Sequence, residues 1–263
     1  MSRVLANRSF IRSAVAARAG RLLPALALLC ALQAPTAGAE QPLRVAVAAN
    51  FRSAAEQLGE QFSTATGAEL IISTASTGIL VAQLRRGAPF DLLLAADRER
   101  PEALVADGTA HTTAHCYAVG SLVLLGRDIS DESLASLKAA LADPGKSLAI
   151  ANPRSAPYGA AAQTVLEREE FAAAKDRRIV MGNNVQQALQ FYSSGATDLA
   201  LVARSVSPSA GIAVPGEWHA PIEQFAVISA RSSQRSLAAD FLTFITSAKA
   251  APALQDLGYQ TCS

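Results

Sequence analysis

The sequence predicts an α/β protein whose sheets are largely parallel and covered by helices on both faces. Two observations carry this. Short, nearly continuous apolar runs of β type alternate with segments of helical apolar spacing along most of the chain. Strands buried on both faces read as such runs, and regular alternation with helices is the signature of parallel sheets. The junctions also carry turn and capping residues where a strand hands over to a helix.

The elements follow in order. Leu43–Ala49 reads as a first strand, and Asn50 is placed to cap a helix over Phe51–Phe62. Phe51, Ala54, Ala55, Leu58 and Phe62 keep helical spacing, and Gly67 ends that segment. Glu69–Thr74 is a second strand. Ser76-Thr77-Gly78 opens a helix over Ile79–Arg86, closed by Gly87-Ala-Pro89. Asp91–Ala96 is a third strand, followed by a helix over Pro101–Ala106. Strands at Ser121–Leu125, Ser147–Ala151, Arg178–Met181 and Leu199–Ala203 then alternate with helices at Asp131–Leu141, Tyr158–Arg168 and Val185–Tyr192. A late strand, Phe225–Ser229, precedes helices at Ser236–Thr246 and Ala248–Leu257. There is no exact internal repeat and no low-complexity linker.

Residues 1–39 read as a secretory leader. Arg3, Arg8, Arg12, Arg18 and Arg21 precede an apolar run, Leu22–Leu32, and the small residues of Ala34–Ala39 follow. The run is short for a permanent membrane anchor. Cys30 raises a lipoprotein reading, but Leu29 stands before it where a small residue is wanted. Without the leader, 18 Lys and Arg face 22 Asp and Glu, a formal net charge of −4. A mildly acidic protein lacks the electrostatic footprint of a nucleic-acid binder. Two cysteines remain, Cys116 and Cys262. An even count in an oxidising compartment favours one disulfide over two separate buried thiols.

Catalytic machinery is hard to assemble from these residues. His111 and His115 stand four apart, but no HExxH pattern surrounds them. They read as solvated loop residues, and His219 has no evident partner. No GxSxG elbow, P-loop or strand-following GxGxxG is present. Asp91 and Asp97 flank a strand, where carboxylates usually serve turns and caps.

Neutral donors at strand-to-helix turns stand out instead. Asn50, Ser76 with Thr77, Tyr158 with Gly159, and Asn183-Asn184-Val185 each open a predicted helix. Helix N-termini present unpaired N–H groups and the positive end of the helix dipole, and they bind anions. In open α/β sheets the ligand crevice lies at the carboxyl ends of strands, where these turns fall. Each residue by itself is more simply a cap of its own helix. The case for an anion rests on four such turns together.

At this point the chain resembles the periplasmic molybdate-binding proteins of ABC transporters. The resemblance spans nearly all of residues 40–263. Its most specific piece is Ala75–Asp97, with a Ser-rich turn, a helix carrying Gln83, then Gly87-Ala-Pro89, Asp91 and a closing Ala96-Asp97. Val45–Asn50, Asn152-Pro153 with Pro157-Tyr-Gly159, and Leu257-Gly-Tyr259 also match. The resemblance implies a two-lobed periplasmic binding protein fold, each lobe a mostly parallel sheet flanked by helices, with a two-crossing hinge. Lobe I is expected over 40–120 with a return segment 223–263, and lobe II over 121–222. The crossings are expected near Gly120 and Glu223.

It further implies an oxyanion site on Asn50, Ser76, Thr77, Tyr158 and Val185, the last through its backbone N–H. A Tyr that some members contribute falls on Ala203 here, so one donor is absent. The expected ligand is molybdate or tungstate, with no cofactor, no metal beyond that of the oxyanion, and no catalysis. The expected partner is a membrane ABC permease, served by a periplasmic monomer. Other readings are a receptor for sulfate, thiosulfate or phosphate, a secreted enzyme using the same cleft, and a regulator's sensing domain. The leader and the lack of a DNA-binding helix pair argue against the last.

Overall fold

The computed structural model describes residues 41–129 and 131–262. The expected leader, with Cys30, lies outside them.

The chain first builds one sheet. Strand β1 (Leu43–Ala48) passes through a short 3-10 turn, Ala49–Phe51, into helix α1 (Arg52–Thr66). Strand β2 (Leu70–Ala75) leads to α2 (Thr77–Arg85), β3 (Leu92–Leu94) to α3 (Glu99–Ala106), and β4 (His115–Gly120) ends the first pass. Ala54, Ala55, Leu58 and Phe62 form the buried stripe of α1. Gly67, at a left-handed φ of 79°, stops that helix and donates its N–H to Ser63 O at 2.8 Å.

A second sheet follows. Strand β5 (Leu122–Gly126) precedes α4 (Leu134–Ala142), β6 (Leu148–Ala151) precedes α5 (Pro157–Leu166), and β7 (Ile179–Gly182) precedes α6 (Val185–Ser193). Strands β8 (Leu199–Ala203) and β9 (Ile212–Ala213) complete it. The chain then returns to the first sheet as β10 (Ile222–Ile228), followed by α7 (Arg235–Ile245) and α8 (Ala251–Asp256).

The strand orders are β2-β1-β3-β10-β4 and β7-β6-β8-β5-β9. In each sheet three strands pair in parallel, then one reversed strand is inserted before the edge. Four of the five strands therefore run one way, which keeps the sheets mostly parallel and the fold two-lobed α/β. The two sheets repeat one plan although their sequences show no repeat.

Both faces of each sheet are covered. Leu43, Val45 and Val47 of β1 pack toward α1 and α7, while Ala46 joins Leu80, Leu84 and Leu104 on the other face. In the second sheet Leu148 and Ile150 face one core and Ala149 the other. The alternation is the period of two of a strand.

The structure departs from expectation at several elements. Residues 115–120 form β4, so His115 begins a strand; it remains exposed. The two-residue β9 has no sequence signal. Helix α4 starts at Leu134, not Asp131, because Ser133 caps it by accepting from Ser136 N at 3.1 Å, while Asp131 braces the turn. Strand β10 begins three residues earlier than expected. Asn50 does not cap α1: the intervening 3-10 turn moves the helix start to Arg52, and the Asn50 side chain makes no capping bond.

Cys116 on β4 and Cys262 are joined by a disulfide across 146 residues of sequence. Beside it, Val119 and Gln260 exchange two backbone hydrogen bonds of 2.8 Å. The C-terminal tail is thereby strapped along the edge of the first sheet.

Candidate functional site

The parallel strands deliver their carboxyl ends to one place. From the first sheet, β1 ends at Asn50, β2 at Ser76 and Thr77, and β3 at Ala96. From the second, β6 leads to Pro157 and Tyr158, and β7 to Asn184 and Val185. These residues, with Ala48, Ala49 and Ala156, line a small cavity of about 10 Å³. That is room for about one water-sized body. The space suits a compact ion and not a sugar or peptide. A larger groove, about 630 Å³, lies along the outside of α1 and β2 and not at the strand ends.

The lobes touch around this cavity. Gly78 N donates to Ser155 O at 2.9 Å, and Ser205 Oγ donates to Asn50 O at 2.9 Å. Gln224 Nε2 donates to the Tyr158 hydroxyl at 3.3 Å, and Arg100 donates to Arg154 O at 3.2 Å. A Cβ on Gly78 would lie 3.1 Å from the Ser155 backbone, so a bare residue suits that approach. A Cβ on Gly159 would lie 2.3 Å from Ala151 O, so only glycine lets α5 begin this close to β6.

Asn50, Ser76, Thr77, Tyr158 and Val185 are all buried and all border the cavity. Their hydrogen bonds separate them. The Ser76 hydroxyl is buried, at 3% residue exposure, and has no partner among the described residues. It stands at the start of α2 yet makes no capping bond. Buried polar groups are almost always paired, so this orphan calls for a ligand. Thr77 Oγ1 accepts from Ala96 N at 3.0 Å, which leaves its own proton to donate.

Asn50 differs. Its side-chain amide donates to Gln224 Oε1 at 2.8 Å and to the Tyr259 hydroxyl at 3.0 Å. Both amide hydrogens are engaged behind the cavity wall, which leaves its backbone N–H for a ligand. The Tyr158 hydroxyl is turned to Gly120 and Gln224, neither of which lines the cavity, and accepts from Gln224 Nε2. What Tyr158 has to offer is its N–H on the first turn of α5. Val185 is the first residue of α6; its side chain is buried and its N–H has no acceptor four residues back. Asn184 is a cap, its Oδ1 accepting from Gln187 N at 3.0 Å.

A buried polar network underlies the site, and four of its members were not among the expected site residues. The single Tyr117 hydroxyl proton is shared between Ala95 O at 3.0 Å and Gln224 Oε1 at 3.1 Å. Tyr259 donates to Asn50 O at 2.9 Å. Gln224 is fully buried in the middle of β10. Ser205 follows Ala203, the position of the absent Tyr, and reaches across to Asn50. A lone Gln just before the apolar run Phe225–Ile228 was one hint, because strand interiors seldom bury an amide without a task, and the matched Leu257-Gly-Tyr259 was another. Burial raises the Tyr117 and Tyr158 phenols well above the ordinary value, and pushes Tyr259 up to about 12, its hydrogen bonds offsetting part of the effect. All three are neutral hydroxyls at physiological pH.

Among the described residues no cationic side chain lines the cavity. His111 and His115 are exposed and His219 half-buried, its Nδ1 2.7 Å from Ala220 O; none borders it. Among the described residues no group of three His, Cys, Asp or Glu could hold a metal ion. The arrangement can bind a small anion through neutral hydroxyls and helix-start N–H groups from both lobes. Charge-assisted bonds of this kind are the strong ones.

A model of the bacterial extracellular solute-binding proteins matches residues 43–260. The molybdate-binding protein ModA of Azotobacter vinelandii is 36% identical over 243 residues, 88% of this chain and 92% of that protein. ModA of Rhodobacter capsulatus is 34% identical over 244 residues, 90% and 94% of the two chains. The solved periplasmic molybdate-binding protein of Azotobacter vinelandii superposes with a TM-score of 0.76 at 32% identity, covering 84% of this chain and 100% of its own. The chain belongs to the bacterial extracellular solute-binding protein family, alongside its molybdate-binding members.

Proposed function

We propose that this protein captures molybdate or tungstate in the cleft between its lobes and delivers it, in the periplasm, to a membrane ABC permease. The observation that carries the ligand class is the buried, partnerless Ser76 hydroxyl in a small cavity without cationic side chains. The names of the relatives point to the same oxyanion. In this reading Ser76 and Thr77 donate hydroxyls, and Asn50, Tyr158 and Val185 donate backbone N–H groups. A buried dianion must be fully hydrogen-bonded, and donors from both lobes can surround a tetrahedron. Neutral donors also ease release, because no fixed counter-charge retains the ion.

Lobe I, 40–120 with 223–263, and lobe II, 121–222, then close about crossings near Gly120 and Glu223. The two crossing strands are neighbours, with Gly120 opposite Ile222. Such a pair can bend as one strip. The protein acts as a monomeric receptor needing no cofactor and carrying out no reaction. Sulfate is discriminated by size, since it is a smaller tetrahedral dianion. Calorimetric titration with molybdate, tungstate, sulfate, thiosulfate and phosphate tests this. Tight binding of the first two and weak binding of the rest is expected; equal affinity for sulfate and molybdate would refute size selection.

A further inference from the structure

One residue, Tyr259, joins the disulfide to the cleft wall. It lies one position before Gln260, which is paired with Val119, and three before Cys262, which is bonded to Cys116. Its hydroxyl donates to Asn50 O at 2.9 Å and accepts from Asn50 Nδ2 at 3.0 Å. Its ring packs edge-on against Phe51, with centroids 5.2 Å apart. Asn50 therefore has both its carbonyl and its side chain held by one tail residue. The same carbonyl accepts from Ser205 of the second sheet.

We propose that Tyr259 is a positioning residue: strapped by the Cys116–Cys262 bond, it holds the Asn50 turn from behind, fixing the cleft wall to which Ser205 docks. The inference uses the oxyanion reading only for its choice of ligand. The physical case is that a 3-10 turn lacks the hydrogen bonding of a full helix. The Asn50 peptide needs an external hold to keep its N–H aimed at the cavity. Tyr259 supplies two bonds, and the disulfide and the Val119–Gln260 pair fix to β4 the segment that carries them.

The test compares the full chain from periplasmic expression with Tyr259→Phe, with the Cys116→Ser and Cys262→Ser pair, and with all three changes combined. Phenylalanine keeps the packing on Phe51. Hydrogen exchange without ligand is read over residues 49–53, with α7 as the internal control, and molybdate affinity is read by calorimetry. Tyr259→Phe is expected to speed exchange over 49–53 but not in α7, and to weaken molybdate roughly two- to tenfold, the effect of one or two ordinary hydrogen bonds. The cysteine pair is expected to do the same, and its effect on the site should vanish in the Tyr259→Phe background, since coupled residues are not additive. Unchanged exchange over 49–53 in Tyr259→Phe, or additive losses in the combined variant, would overturn the inference. If the unaltered chain binds no molybdate, the oxyanion reading fails while the exchange comparison still decides this one.

Discussion

Ser76→Ala is the sharpest test of the site because its two effects should have opposite signs. In the structure Ser76 Oγ is buried, unpaired and makes no capping bond. An unsatisfied buried hydroxyl costs about 1–3 kcal/mol. Removing it should leave the ligand-free protein as stable or raise it by about 1 kcal/mol, which for a chain of this size is roughly 2–4 °C in Tm. The bound state should lose a hydrogen bond to a charged ligand, about 1.5–3 kcal/mol, or ten- to a hundredfold in Kd. A capping role predicts the reverse, a less stable helix α2 with unchanged affinity, since loss of a cap costs about 1 kcal/mol. Calorimetric titration with molybdate beside thermal melting of the ligand-free protein separates the two. A lowered ligand-free Tm together with an intact Kd would refute the assignment of Ser76 as a donor.

Two further outcomes follow from the geometry. Tyr158→Phe should change molybdate affinity by less than about threefold, because its hydroxyl is turned to Gly120 and Gln224, neither of which lines the cavity; a tenfold loss in calorimetry would put the hydroxyl on the ligand. Gly78→Ala should weaken binding while sparing the ligand-free Tm, since a Cβ 3.1 Å from the Ser155 backbone opposes the contact between the lobes. Small-angle scattering with saturating ligand should show a more open particle for that variant, and an unchanged profile with unchanged Kd would show that the contact does not govern closure.

Much of the local structure was legible in the chain. The continuous apolar run of β1, the helical stripe of α1 and the stop at Gly67 follow from side-chain periodicity and backbone sterics, which act over a few residues. The same locality explains why Ser76, Thr77, Tyr158 and Val185 could be placed at helix starts before any contact was known. The errors also have local causes. Residues 115–120 mix His, Cys, Gly and apolar positions and give no clear period, and β9 is too short to have one. Helix α4 starts after Ser133 and not at Asp131 because the Ser133 hydroxyl accepts from Ser136 N.

What the sequence determined by itself is the α/β scaffold and the placing of Thr77, Tyr158 and Val185 at helix starts. Only the tertiary structure decided which atoms of those residues are free. Asn50 reads as a side-chain donor until Gln224 and Tyr259, 174 and 209 residues away, are seen to occupy its amide. Ser76 reads as a cap until its hydroxyl is found without a partner. Tyr158 leaves both its hydroxyl and its backbone N–H open as donors until the OH is seen turned to Gly120 and Gln224. A residue's identity sets which hydrogen bonds it can make, but long-range packing determines which of them are already made, and a ligand can take only the remainder.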